Sequence, residues 1–223
     1  MSITRGAIIL CGGKSSRMGL AKATLPFGPE VLLQRVVRLV RPVVDSIVVV
    51  AAPDQELPPL PDEVRLVRDR AEGRGPLEGL AAGFTALRDS VDAAYATGCD
   101  VPFMVPALVK RLFELLQDHE IVVPTDGRFH HPLSAVYRTQ VLERIESLLA
   151  EGRMRPFYLF EQSDTLEVSV DRVRDVDPEL ATLENLNRPS DYLEALKRAG
   201  FQAPPDVLDT FSRNERKEGD TTQ

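Results

Sequence analysis

Short apolar runs that alternate with longer, helix-like stretches constrain the fold of this chain more than any other feature. The first run, Gly-Ala-Ile-Ile-Leu at residues 6–10, is stopped by glycines, which is typical of a strand buried on both faces. Further runs of strand length lie at residues 46–52, 64–68, 93–100, 120–125 and 132–138. Helical patterns lie at residues 29–43, 75–90, 140–151 and 187–200, and another begins at Pro106. This alternation predicts an α/β fold with a doubly wound, mostly parallel sheet, which binds ligands at the carboxyl ends of its strands.

The length of the chain, 223 residues, fits one large α/β domain. We expect this domain to cover residues 1–203. The chain then ends in Ser-Arg-Asn-Glu-Arg-Lys-Glu-Gly-Asp-Thr-Thr-Gln, which contains no apolar side chain. Residues 204–223 are therefore predicted to form a disordered tail.

Charge and cysteine usage narrow the function classes. A net charge of −7 argues against a surface that wraps nucleic acid, because such a surface needs a basic face. Cys11 and Cys99 have no Cys-x-x-Cys partner, and we interpret them as two small buried residues in a reducing cytosol. The apolar stretch at residues 7–13 is too short for a signal peptide or a membrane span. We expect a cytoplasmic protein with no nucleic-acid and no membrane partner.

The loop after the first predicted strand, residues 11–22, reads Cys-Gly-Gly-Lys-Ser-Ser-Arg-Met-Gly-Leu-Ala-Lys. Its Gly-Lys-Ser is not a P-loop, because the glycine required five residues earlier is Ile8. The dinucleotide fingerprint also fails, because no glycine stands two residues after Gly13. The glycine pair still lets the backbone approach a ligand, and Lys14, Arg17 and loop N–H groups could surround a polyphosphate. A tight turn with solvated cations fits the same residues.

Continued to Leu-Pro at residues 25–26, this loop resembles the molybdenum cofactor guanylyltransferase-like family of nucleotidyltransferases. The family signature is Leu-x-Gly-Gly-x-Ser-x-Arg-Met-Gly-x-x-Lys-x-x-Leu-Pro. The positions that match it are Leu10, Gly12, Gly13, Ser15, Arg17, Met18, Gly19, Lys22, Leu25 and Pro26. Segments similar to four more family motifs follow in the family's order, at residues 68–84, 97–103, 131–138 and 183–192. The resemblance covers residues 6 to about 199.

The resemblance implies a Rossmann-like nucleotidyltransferase domain that transfers GMP from GTP to the terminal phosphate of molybdopterin and releases pyrophosphate. Molybdenum cofactor biosynthesis proteins or acceptor molybdoenzymes are the implied protein partners. The acceptor phosphate is largely ionised near neutral pH, so the protein need only position the reactants and neutralise charge. Ala21 stands where guanylyltransferases often carry aspartate, which leaves open a nucleotidyltransferase that uses CTP or another nucleotide on a different phosphorylated acceptor. A nucleotide-binding protein without turnover is the third reading.

The resemblance also assigns roles to individual positions. The implied catalytic residues are Arg17, Lys22 and Asp100, of which Arg17 and Lys22 neutralise phosphate charge and Asp100 binds Mg²⁺. The implied nucleotide-binding residues are Leu10, Cys11, Gly12, Gly13, Lys22, Asp69 and Asp100. Among these, the backbone of Leu10, Cys11 and Gly12 is implied at the guanine edge. Asn185 and Asn187 are implied near the pterin substrate.

Arg17 and Lys22 could instead be solvated surface cations, and three more of these residues have structural alternatives that the sequence leaves open. They are a turn cap for Asp100, a salt bridge to Arg68 or Arg70 for Asp69, and the N-cap of the last helix for Asn187. His130 and His131 are not predicted to share a metal, because adjacent residues on a strand point to opposite faces.

Overall fold

The computed structural model describes residues 3–12, 18–69 and 75–220, with side chains to residue 214. The strands are β1 (Arg5–Leu10), β2 (Pro26–Phe27), β3 (Glu30–Val31), β4 (Ser46–Ala51), β5 (Val64–Arg68), β6 (Ala93–Gly98), β7 (Ile121–Thr125), β8 (Ser134–Arg138) and β9 (Thr165–Ser169). The helices are α1 (Leu32–Val40), α2 (Pro76–Leu87), α3 (Pro106–Leu116), α4 (Leu142–Ala150), α5 (Pro156–Glu161), α6 (Pro189–Arg198) and α7 (Pro205–Asp220).

Seven of these strands form one sheet in the order β5-β4-β1-β6-β8-β7-β9. Every neighbouring pair is parallel except the two that involve β8, which runs antiparallel to β6 and β7. The prediction of a doubly wound, mostly parallel sheet is confirmed. The chain builds outward from β1 to β4 and β5, and then places β6 on the other side of β1. The crevice at the carboxyl ends of β1 and β6 is therefore the switch point at which such sheets bind ligands.

Helices cover both faces of the sheet because successive strand residues point to opposite sides. On β1, Ala7 and Ile9 face a buried cluster that α1 and α3 complete, whereas Ile8 faces the cluster formed with α2 and α4. A third cluster lies beside the sheet and joins the β2–β3 hairpin to α6 and α7. This third cluster holds the C-terminal part of the chain next to the loop that follows β1.

Helix α2 approaches the sheet closely where it lacks a side chain. A Cβ built on Gly83 would lie 2.5 Å from Ile8 Cγ2, and one built on Gly79 would lie 3.0 Å from Leu10 Cδ2. Real Cβ atoms do not approach a carbon to 2.5 Å, so a larger residue at Gly83 must move the helix or distort the central strand.

We expect Gly83→Ala to lower the free energy of unfolding by about 1–2 kcal/mol, although alanine is the better helix former. Gly79→Ala is the matched variant and should cost less, because the atom it meets is the end of a flexible leucine side chain. Urea unfolding of the three proteins measures both effects. Wild-type stability in Gly83→Ala would contradict the steric argument.

The predicted disordered tail, residues 204–223, begins with a helix in the part that the structure describes. Pro205–Asp220 form α7, and the side chains of Val207 and Phe211 are buried in the third cluster. The Phe211 ring meets Tyr192 of α6 edge-on, with 5.9 Å between the ring centroids. These two apolar residues, one helical turn apart, precede the polar stretch on which the prediction was based. Within the described residues, no helix is both long and apolar enough to cross a bilayer.

Candidate functional site

The carboxyl ends of β1 and β6 lie side by side. Leu10 pairs with Gly98 in the parallel register, and the Cys99 N–H donates to the Leu10 carbonyl at 3.1 Å. Asp100 follows directly and is buried, with 7% of its surface exposed. A Cβ built on Gly98 would lie 2.5 Å from Asp100 Oδ1, so the missing side chain at Gly98 is what makes room for this carboxylate.

Lys22 reaches Asp100 from the other side of the crevice. It begins the short 3-10 turn Lys22–Thr24, which follows the glycine-rich loop. Its Nζ lies 2.6 Å from Asp100 Oδ2, and the two side chains are only 18% and 11% exposed. The pair is therefore partly shielded from water, where Coulomb attraction is stronger than between exposed charges. The Lys22 ammonium therefore lies against the one carboxylate that was predicted to bind a metal ion.

Asn187 lies in the segment before α6 and joins Lys22 and Asp100 in a cluster of three side chains. Lys22 Nζ donates to Asn187 Oδ1 at 3.1 Å, and the Leu186 N–H donates to the Asp100 carbonyl at 3.0 Å. Asn187 is not the N-cap of α6, because Asp191 Oδ2 accepts the N–H groups of Asn187 and Arg188 at 3.0 and 2.9 Å. The Asn187 side chain is thus free of the capping role and faces Lys22.

The predicted Asn185 lies near the cluster but contributes differently. Its carbonyl accepts a hydrogen bond from Asn187 Nδ2 at 3.4 Å, so its backbone helps to orient the neighbouring amide. The structure thereby brings together Lys22, Asp100 and Asn187, and places Asn185 beside them. The predicted residues Gly13 and Arg17, and also Lys14, lie outside the described residues.

Asp69 stands apart from this cluster, directly after β5. Three strand spacings, roughly 14 Å, separate the ends of β5 and β6. The Asp69 N–H donates to the Ala51 carbonyl at 2.8 Å, which ties it to the end of β4. Asp69 Oδ1 is buried and has no hydrogen-bond partner among the described residues. Buried carboxylate oxygens normally have partners, so a ligand that supplies a donor would fit here.

Arg68 is not engaged with Asp69 in the way the alternative salt bridge requires. Its Nη1 donates instead to the carbonyls of Ala52 and Gln55, at 2.9 and 2.7 Å. Arg70, the other proposed partner, lies outside the described residues. The Arg68 side chain therefore supports the loop after β4.

Gln55 of that loop is a site neighbour that the sequence analysis missed. Its Nε2 donates to the Cys11 carbonyl at 3.2 Å, and the Cys11 N–H donates to the Val50 carbonyl at 2.8 Å. Cys11 is the residue whose backbone was predicted at the base. A single glutamine within a proline-rich surface loop gives no sequence signal, since the contact depends on how the loop folds back over β1.

Cys11 and Cys99 are both unpaired by disulfide and buried, as predicted. A hydrogen bond with the Cys99 thiol and, next in size, burial raise the pKa of the Cys11 thiol well above its usual value. A thiol is reactive only as its thiolate, so this environment suppresses the chemistry of Cys11.

We expect both thiols to react with iodoacetamide on the order of a hundredfold more slowly in the folded protein than in urea. Mass spectrometry of timed samples at pH 8 measures each rate. The unfolded chain is the control, because it presents the same two thiols without burial. Rapid labelling of the folded protein would show that the ends of β1 and β6 open in solution.

A metal site, where present, must be built from few protein groups. Within the described residues, no three histidine, cysteine, aspartate or glutamate side chains converge as metal ligands. Asp100 offers a single carboxylate in a recess that a Cβ on Gly98 would fill. One carboxylate completed by water and substrate phosphates is a common arrangement for Mg²⁺, so these residues fit that ion.

Comparison with known proteins supplies the family. The model of the MobA-like NTP transferase domain matches residues 7–166. A Mycobacterium avium protein named as a probable molybdenum cofactor guanylyltransferase is 38% identical over an alignment of 204 residues that covers 89% of this chain and 98% of that protein.

Solved structures share the fold at lower identity. The Archaeoglobus fulgidus molybdopterin-guanine dinucleotide biosynthesis protein A superposes with a TM-score of 0.73 at 21% identity, over 87% of this chain and 98% of that one. A Mycobacterium tuberculosis protein in complex with manganese superposes with a TM-score of 0.55 at 14% identity, over 75% of this chain and 88% of that one.

Proposed function

The chain belongs to the MobA-like NTP transferase family, and from this membership we propose that it transfers GMP from GTP to the terminal phosphate of molybdopterin, releasing pyrophosphate. The observation that carries the proposal is the meeting of Lys22, Asp100 and Asn187 at the switch point of the sheet. The relative from Mycobacterium avium, which this chain matches along nearly its whole length, bears the name of that activity. We assign the activity to one domain over residues 1–203, against which α7 packs.

An oxygen of the acceptor phosphate attacks the α-phosphorus of GTP in this proposal. The bond from that phosphorus to the β-phosphate oxygen breaks, and pyrophosphate leaves with the electron pair. Most of the acceptor monoester has lost its second proton near neutral pH, so the step needs no general base. The work of the protein is to align the two phosphates and to neutralise their charge.

Three of the predicted residues divide this work between them. Lys22 gives a compact positive charge to the triphosphate, and Arg17 would add a forked contact to phosphate oxygens. Asp100 would hold a divalent ion, for which we propose Mg²⁺, and the ion when bound supplies further neutralisation of phosphate charge. Lys22 and an ion held by Asp100 would share the same carboxylate, which would leave part of the Lys22 charge available to the triphosphate.

The remaining predicted residues bind the nucleobase of GTP and the pterin of the acceptor. The backbone of Leu10, Cys11 and Gly12, followed by Gly13, receives the base. The Asp69 oxygen that has no partner among the described residues accepts a donor from the nucleotide. Asn185 and Asn187 lie on the acceptor side, where we place the pterin. Acceptor molybdoenzymes or other proteins of cofactor biosynthesis would receive the product. The two free thiols fit a cytoplasmic location.

The test begins with calorimetric binding of GTP, CTP, ATP and UTP to the purified protein in the presence of Mg²⁺. Preference for GTP, followed by pyrophosphate release on addition of molybdopterin, is the expected result. Preference for CTP would replace the proposal with a cytidylyltransferase of another phosphorylated acceptor. Nucleotide binding without pyrophosphate release would favour a non-catalytic relative.

A further inference from the structure

Gln55 joins the end of β1 to the loop that follows β4. Its Nε2 donates to the Cys11 carbonyl and its Oε1 accepts the Ala52 N–H, both at 3.2 Å. The side chain is half-buried and spans two neighbouring strand ends, since Leu10 of β1 pairs with Val50 of β4. One amide group therefore holds the backbone of both strands where each leaves the sheet.

The backbone from which the Gln55 side chain extends is itself held by hydrogen bonds. The Gln55 N–H closes a turn onto the Ala52 carbonyl at 3.2 Å. Arg68 Nη1 donates to the carbonyls of Ala52 and Gln55 at 2.9 and 2.7 Å. These hydrogen bonds fix the backbone of Gln55. Its contact with Cys11 therefore holds the end of β1 at a set position relative to the loop.

The direction of the next peptide group follows from this contact. In a trans peptide, the C=O and N–H groups point in opposite directions. The Leu10 carbonyl faces β6 and the Cys11 N–H faces β4, as this rule requires. Because Gln55 holds the Cys11 carbonyl on the β4 side, the Gly12 N–H points toward the β6 side. Gly12 is exposed, so a ligand in the crevice between β1 and β6 can reach this donor.

We propose that Gln55 is a positioning residue for base selection, which acts by fixing the Cys11 carbonyl and thereby aiming the Gly12 N–H at the nucleobase. A fixed N–H donor favours a base that presents an acceptor, such as O6 of guanine, over one that presents an amino group there, as adenine does. This inference rests on the proposed function, because it takes GTP as the nucleotide.

The variant Gln55→Glu separates the contributions of the two hydrogen bonds that the Gln55 side chain makes. Its carboxylate still accepts the Ala52 N–H but cannot donate to the Cys11 carbonyl. In calorimetric titrations of the full chain with GTP and ATP, each with Mg²⁺, we expect the ratio of GTP to ATP affinity to fall about tenfold. Gln55→Met, which removes both contacts without adding charge, should lower the ratio in the same direction and guards against a folding defect of the first variant.

Gln34 offers a matched control. Its Oε1 accepts the Val31 N–H at 3.2 Å and its Nε2 donates to the Pro59 carbonyl at 2.9 Å, in the same loop but away from Cys11. Gln34→Glu should therefore leave the affinity ratio at the wild-type value.

An unchanged ratio in both Gln55 variants, with wild-type protein preferring GTP, would overturn the positioning role and leave the proposed function intact. A lowered unfolding midpoint without a change in the ratio would also overturn it, because the role of Gln55 would then be structural. Wild-type protein that binds ATP or CTP as tightly as GTP would overturn the choice of guanine, and this inference with it.

Discussion

Replacing Asp100 with asparagine is expected to lower kcat by at least about a thousandfold while the protein stays folded. The amide keeps the shape of the carboxylate and fits the recess beside Gly98, but it carries no charge for a divalent ion. Lys22 keeps Asn187 as an acceptor, so the cluster loses its ion pair without leaving the ammonium unpaired. Pyrophosphate release measures activity, and thermal unfolding should shift by only a few degrees.

The control for this experiment is Asp45→Asn, at the amino ends of β1 and β4, opposite the crevice. Asp45 Oδ2 accepts the Arg5 N–H at 2.8 Å, where β1 begins, far from the crevice. This variant should retain wild-type activity and wild-type dependence on Mg²⁺. More than a tenth of normal turnover in Asp100→Asn would remove Asp100 from the mechanism and favour its alternative role as a turn cap.

Loss of the Lys22 ammonium should have the second largest effect. We expect Lys22→Met to lower kcat/KM by about 10²–10³-fold, because no other described side chain supplies positive charge beside Asp100. Lys22→Arg should not restore the activity, since the space between Asp100 Oδ2 and Asn187 Oδ1 holds a compact ammonium and a planar guanidinium has a different shape. Steady-state kinetics with GTP as the varied substrate measures both variants.

Lys110→Met is the matched control for the lysine variants. Lys110 lies on the exposed face of α3, 3.9 Å from Glu114, in a pair that contributes about 0.3–0.5 kcal/mol. Its loss should leave both activity and stability nearly unchanged. Activity of Lys22→Met within about threefold of wild type would show that the triphosphate is neutralised elsewhere.

Much of the sheet could be predicted because its signals are local. Each buried parallel strand is a short apolar run with glycine or proline at or just after its carboxyl end, so β1, β4 and β6 were predicted from the composition of a few residues. The same signals carry no information on strand direction, so they did not predict that β8 runs antiparallel to its neighbours. β9 was missed because it is an edge strand with only one fully buried residue of five, and it therefore has no continuous apolar run.

The site was predictable where a motif is contiguous and unpredictable where contacts cross the chain. The position of Asp100 at a strand end follows from the run that precedes it, and the structure agrees. The ammonium of Lys22, however, meets Asn187 across 165 positions of sequence, and Gln55 reaches Cys11 across 44. Such contacts depend on the packing of the third cluster and on the turn after β4. Neither leaves a pattern that can be read from one sequence.

Lys22, Asp100 and Asn187, the three residues that meet in the crevice, are also synthesised at very different times. Asp100 follows Lys22 by 78 positions, and Asn187 follows Lys22 by 165. A ribosome-bound chain could already have β1, β4 and β6 and yet lack the segment whose Leu186 N–H holds the Asp100 carbonyl. Because polypeptides grow from the N-terminus, the cluster is completed only in the last part of translation. Nascent chains and truncated chains that end before Leu186 therefore lack part of the cluster, and we expect them to be inactive.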